Sequence, residues 1–179
     1  MNRDVHKTCV TGETRIFKSK KAQMAGMDEV SGIHAREMPY LDRVVQLGIA
    51  QGRVLSVDFP DEPGEDAVDD HELLDRIENY LQGSRDDFAD VTVALTMQTD
   101  HREILEKVRE VPYGENATVT QVLLMVPGRD ADDEDDQRVA REALANNPAP
   151  IFVPTHRVRD GPGSAPADVI QKLRSLEGL

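Results

Sequence analysis

The chain has no tryptophan, three tyrosines and four phenylalanines, so aromatics make up 4% of it. Its core must be built mainly from aliphatic side chains. One cysteine, Cys9, excludes an internal disulfide and makes a cytoplasmic setting the expectation. No run approaches the roughly 20 apolar residues that cross a bilayer. No basic head followed by an apolar core marks a secretion signal. Lysine is scarce as well, with six residues, of which Lys7, Lys18, Lys20 and Lys21 crowd the start. No metal or cofactor is expected, and no membrane partner.

What is abundant is acid. The net charge is −13, unevenly spread. Residues 1–26 carry six Lys/Arg and two Asp/Glu, whereas residues 27–179 carry 15 and 32, a net −17. An acidic, lysine-poor body suggests adaptation to concentrated salt, where carboxylates keep the surface hydrated. Residues 1–26 look foreign to that body and read as a flexible tail or as upstream sequence, with the natural start at Met24 or Met27.

Residues 41–59 predict a β-hairpin. Val44, Val45, Leu47 and Ile49 form one arm and Val54, Leu55, Val57 and Phe59 the other, with a turn at Ala50-Gln51-Gly52. Pro60 to Asp70 reads as an acidic loop. Leu73, Leu74, Ile77 and Leu81 share one face of a helix over 70–82, stopped by Gly83. Val91 to Leu95 is a short strand candidate. Asp100 with Glu103 predicts a capping box on a helix carrying Ile104, Leu105 and Val108. Thr118 with Gln121 predicts a second box, followed by Val119, Val122, Leu123 and Val126, and then by the break Pro127-Gly128. A helix over about Asp133 to Ala145 follows, so the pair reads as a helix-turn-helix. Residues 167–176 predict a last helix.

The richest stretch is Asn147-Pro148-Ala149-Pro150-Ile151-Phe152-Val153-Pro154-Thr155-His156-Arg157-Val158. It resembles the active-site segment of the alkylguanine-DNA alkyltransferase family, which reads Asn-Pro-x-Pro-Ile-x-x-Pro-Cys-His-Arg-Val. Every fixed position matches except Thr155, which stands where the family places its acceptor cysteine. Val111-Pro112-Tyr113-Gly114 matches a second family motif. The resemblance covers about residues 41–179 and is specific over 104–158. It implies an α/β (α+β) fold with a tail at 1–26, a small α/β domain at 27–98 and a DNA-binding domain at 99–179 built around a winged-helix-like helix-turn-helix.

The resemblance also implies roles. Arg138 corresponds to the family's arginine finger, which enters the duplex and fills the gap left by a flipped base. A guanidinium suits this, being planar and permanently charged. Thr118, Val119, Arg129 and Arg141 complete the expected DNA contacts. Tyr113, Pro154, Thr155, Val158 and Arg159 form the expected base pocket. Asn147, His156 and Glu177 are remnants of a relay that activates the cysteine in the family. Here His156 is expected to orient the Thr155 hydroxyl, and Arg157 to form an internal ion pair. A threonine hydroxyl is far less acidic than a thiol and is β-branched, so alkyl transfer is not expected.

Three features depart from the family pattern. Val119 replaces a tyrosine that helps rotate the nucleotide. The Gly-Tyr-x-Gly-Gly lid is absent, and Arg159-Asp160-Gly161-Pro162-Gly163-Ser164 is shorter. The acidic run Asp130–Asp136 precedes the expected recognition helix; it complements the helix N-terminus, repels phosphate if it faces DNA, or stands as a solvated loop.

The leading expectation is a monomeric, non-enzymatic family member, similar to alkyltransferase-like proteins. It would bind alkylated guanine in double-stranded DNA and pass it to nucleotide-excision-repair proteins. The alternative is a degenerate homologue acting as an interaction or regulatory module. A third reading has Thr155 accepting alkyl groups or His156 activating a hydrolytic water.

Overall fold

The computed structural model describes residues 31–179. The tail assigned to 1–26, the start sites Met24 and Met27, and Cys9 lie outside the described residues. The architecture is mixed α/β, as the sequence predicts: a three-stranded antiparallel sheet and five helices.

The predicted hairpin is present as β2 (Arg43–Ala50) and β3 (Arg53–Asp58). Gln51 and Gly52 both take positive φ, 51° and 65°, so a two-residue turn matches the twist of its strands. A further strand, β1 (Gly32–Met38), pairs with β2. Its polar His34, Arg36 and Glu37 mask the alternation that would have marked it. Both sheet edges are partly covered. Val68, in the predicted acidic loop, bonds β1 through Ala35 N–H at 3.0 Å and Ile33 O at 3.0 Å. Val91–Leu95 does not become a strand. Val93 makes an isolated bridge to Val54, with Thr92 O and Ala94 N–H supplying the hydrogen bonds.

Helix α1 (Glu72–Leu81) buries Leu73, Leu74, Ile77, Tyr80 and Leu81 against this sheet. Its N-cap is His71, whose Nδ1 accepts the Leu73 N–H at 3.1 Å. Helix α2 (Thr99–Val108) lacks the expected capping box. Asp100 lies inside the helix rather than at its cap, and its carboxylate is drawn to Arg129 at 2.6 Å. Helix α3 (Val119–Met125) has its predicted box, with Gln121 N–H to Thr118 Oγ1 at 3.1 Å and Thr118 N–H to Gln121 Oε1 at 2.8 Å. Helix α4 (Glu134–Ala145) starts at Asp133, which accepts the Asp135 and Asp136 N–H groups. Helix α5 (Ala167–Glu177) ends at Gly178, whose φ of 77° suits glycine.

Two apolar clusters result. The second packs α2, α3 and α4 together with Val153 and Val158. The first joins the sheet and α1 to Ala149, Ile151, Phe152, Val169 and Leu173. The motif 147–158 thus runs between the two clusters and touches both.

His34 is 1% exposed; its Nδ1 lies 3.3 Å from Asp70 Oδ1 without hydrogen-bond geometry, and its Nε2 has no partner among the described residues. Its ring lies 4.8 Å from that of His71. Burial first, and His34 second, hold the His71 pKa below its ordinary 6.5. The unfolded chain therefore takes up this proton first, so stability is full above that value and falls as pH drops below it. We expect His71→Asn, which keeps a capping oxygen, to lose less stability than the parent between about pH 7.5 and about pH 5.5. Urea midpoints at the two pH values measure it. Equal losses in the two proteins would contradict the account. Some loss must persist, because buried His156 is depressed in the same direction.

Candidate functional site

The motif is held by its own backbone first. Asn147 is 4% exposed, and its Oδ1 accepts Ala149 N–H while its Nδ2 donates to Val153 O, both at 3.0 Å. Between them Ile151 sits at φ 81°, a conformation costly for a β-branched residue. The flanking hydrogen bonds and burial in the first core fix it there. Thr155–Arg157 then forms a 3-10 turn. Ala117 pairs on both sides of the turn's exit, donating to Arg157 O at 2.9 Å and accepting Arg159 N–H at 3.0 Å. Arg174 of α5 clamps it from the other side, with Nε to His156 O at 2.7 Å and Nη2 to Val158 O at 3.1 Å.

Below the turn lies a buried polar network centred on Glu177. Its carboxylate accepts from Arg157 Nε and Nη2 at 2.9 Å each, from Tyr80 OH at 2.6 Å, from His156 Nε2 at 3.1 Å and from Gly114 N–H at 3.2 Å. Burial alone would raise the carboxyl pKa, but the bonds from His156 and Arg157 outweigh it and hold the group at about 2. A carboxylate can only accept, so His156 must present Nε2–H to it. Burial keeps His156 neutral, against the pull of Glu177. Arg157 also donates to Val111 O at 2.6 Å and to Asp87 at 3.0 Å. Asp87 in turn accepts Tyr113 N–H at 2.8 Å.

Thr155 is 2% exposed, and its hydroxyl makes no hydrogen bond within the described residues. The expected bond to His156 is not formed; the ring's Nε2 is turned to Glu177 instead. Thr155 borders a cavity of about 400 Å³ with Arg159, Gly161, Gly163 and the α5 residues Ala167, Ile170, Gln171 and Arg174. Of the expected base-pocket set, Thr155 and Arg159 reach this cavity. Pro154 and Val158 are buried and do not line it. Tyr113 turns to the network, edge-on to Tyr80 and 5.9 Å from the Arg157 guanidinium.

The expected DNA contacts are dispersed. Arg138 is exposed on α4, ion-paired to Asp135 at 3.1 Å and Glu142 at 3.0 Å. It borders an open trough of about 450 Å³ along the outer face of α4, with Arg141 beside it. Arg129 is tied to Asp100 and Asp136. Val119 is 1% exposed and contributes its backbone N–H, which Asp160 accepts at 2.7 Å. Thr118 is spent as a cap. No group of three or more metal-ligating side chains occurs among the described residues, nor any helix long and apolar enough to cross a membrane.

The sequence reading missed Tyr80, Asp87 and the α5 wall of the cavity. Tyr80 carried a signal: a tyrosine on a buried stripe needs a partner for its hydroxyl. We expect Glu177→Gln to cost about 3–5 kcal/mol, since it leaves Arg157 buried without its main counter-charge. It should also flatten the decline in stability from about pH 4.5 to about pH 2 that follows from the depressed carboxyl. Denaturant titrations across that window test both. A loss within experimental error of zero would show that the network does not hold the site.

Comparison with known proteins agrees with this architecture. Residues 100–175 match the family model described as 6-O-methylguanine DNA methyltransferase, DNA binding domain. A methylated-DNA–protein-cysteine methyltransferase of Methanopyrus kandleri is 35% identical over 129 residues, spanning 69% of this chain and 93% of that protein. One from Metallosphaera sedula is 29% identical over 133 residues, spanning 70% and 81%. Among solved structures, the O6-methylguanine-DNA methyltransferase of Pyrococcus kodakaraensis superposes with a TM-score of 0.64 at 19% identity, covering 83% of this chain and all of that one. A Mycobacterium tuberculosis OGT in complex with DNA gives 0.62 at 20% identity, covering 82% and 91%. The chain belongs to the methylated-DNA–protein-cysteine methyltransferase family.

Proposed function

We propose that this protein binds double-stranded DNA containing O6-alkylguanine, takes the flipped base beside Thr155, and does not transfer the alkyl group. One observation carries the reading: the buried network of His156, Arg157 and Glu177 is complete, while the residue above it is Thr155. A fully hydrogen-bonded network beneath a hydroxyl supports binding over transfer, because an unactivated threonine is a poor nucleophile. Handover to nucleotide-excision-repair proteins would then complete the repair, and residues 99–179 would form the DNA-facing unit.

Arg138 is the proposed gap-filling residue. Its two partners are surface acids on its own helix, and such exposed pairs are weak and easily exchanged. Arg141 lines the same trough. Arg129 fits a bracing role better than a phosphate contact, since both its partners would have to be given up. The acids of the trough, Glu134 and Glu142, favour a second reading, an interaction module without lesion binding. DNA titration separates the two.

Two outcomes are expected. After incubation with duplex containing O6-methylguanine, intact-protein mass spectrometry should show no methyl gain. Thr155→Cys should gain one methyl slowly, with peptide mapping placing it at that position. A methyl on Thr155 of the parent protein would refute the proposal. Arg138→Ala should weaken binding to modified and unmodified duplex alike by roughly tenfold, the scale of a lost stacking contact. The loss should persist at high salt, where counterion release contributes little. Unchanged affinity, or no DNA binding by the parent at any salt, would favour the interaction module.

A further inference from the structure

The cavity beside Thr155 is lined by two arginines and no acid. Arg174 uses Nε and Nη2 on backbone carbonyls, and Nη1 has no partner among the described residues. The Arg159 side chain is exposed and makes neither a hydrogen bond nor an ion pair among the described residues. Close by, Arg141 donates to the neutral carbonyl of Asp160 at 2.6 Å. The carboxylates on these same segments are committed elsewhere. Glu177 is held by Arg157, Asp168 by Arg43, and Asp160 by the Val119 N–H. By contrast, Arg36, Arg76, Arg129 and Arg138 each face at least one carboxylate. In a body of net charge −17, these are arginines without a carboxylate partner among the described residues, at a concave site.

We propose that the cavity holds a phosphate group of a guanine nucleotide, gripped by Arg159 and by Nη1 of Arg174. The site would then recognise a nucleotide and not a base alone. Guanidinium groups match phosphate in geometry and keep their charge at any working pH. The cavity volume of about 400 Å³ falls within the range of small-molecule sites. Helix α5 forms one wall of the cavity through Ala167, Ile170, Gln171 and Arg174. The proposal rests on reading this cavity as the nucleotide pocket, but not on duplex opening or base flipping. The phosphate can belong to a strand or to a free mononucleotide, and the chemistry of the grip is the same.

The test is equilibrium binding of the full chain at fixed ionic strength. The probes are O6-methyl-2′-deoxyguanosine, its 5′-monophosphate, inorganic phosphate, and a short single strand containing O6-methylguanine. The monophosphate should bind roughly tenfold or more tighter than the nucleoside, as charge-assisted contacts imply. Inorganic phosphate should compete with it. Arg159→Gln should bring nucleoside and monophosphate toward parity, whereas Arg53→Gln, an exposed charge change on β3, should leave their ratio unchanged. If phosphate also displaces the single strand, the bound group is a phosphodiester; if it displaces the mononucleotide alone, the ligand is a free nucleotide. Equal binding of nucleoside and monophosphate, an unchanged ratio in Arg159→Gln, or no binding of either compound would overturn the proposal. Loss of lesion-duplex binding with the monophosphate preference intact would sink the lesion reading and leave this one standing.

Discussion

The arrangement depends on one buried carboxylate. Glu177 is the last residue of α5, and its donors come from α1, from the turn after α2 and from the 3-10 turn. Four separate parts of the chain therefore meet at two oxygen atoms. An ion taken from water at this cost must be fully satisfied, and it is. That requirement fixes the register of α5 against the motif and the orientation of His156 together. Arg174, one turn earlier on the same helix, then lands on the carbonyls of the 3-10 turn. Site geometry and fold integrity are set by the same contacts.

The charge pattern of the molecule follows a related logic. The acidic run before α4 is not idle on the surface. Asp133 caps the helix, Asp136 accepts Asp130 N–H and binds Arg129, and Asp130 accepts Asp132 N–H. Carboxylates near a helix start are favourable there, where free N–H groups concentrate. Acids elsewhere neutralise arginines in pairs and triads, as Asp69, Asp75 and Glu78 do around Arg36. Much of the acidity is therefore architectural.

Legibility in the sequence tracked how local the signal was. The hairpin turn, the Thr118–Gln121 box and the buried face of α1 need a few neighbouring residues each, and all were readable. Asp100 was misread because its partner, Arg129, lies far along the chain. Strand β1 was missed since its inward and outward positions do not alternate cleanly in polarity. The Glu177 network was half legible. The motif named His156, Arg157 and Glu177, but Tyr80 and Asp87 join only through tertiary packing. The cavity wall was least legible, because Ile170 reads as core and Gln171 as surface until α5 is placed.

The route of the chain through its two cores has a consequence for biosynthesis. Ala149 to Phe152 and residues Val169 and Leu173 complete the core begun by the sheet and α1. Tyr40 donates to Lys172 O, Lys172 donates to Leu41 O, and Arg43 pairs with Asp168. The strands emerge from the ribosome well before the helix that closes over them. During synthesis the early half must wait with apolar surface uncovered, whereas α2, α3 and α4 lie close together in sequence and pack on each other. Contacts so distant in sequence form slowly. Nascent chains are therefore most exposed to chaperones in the interval before α5 is released.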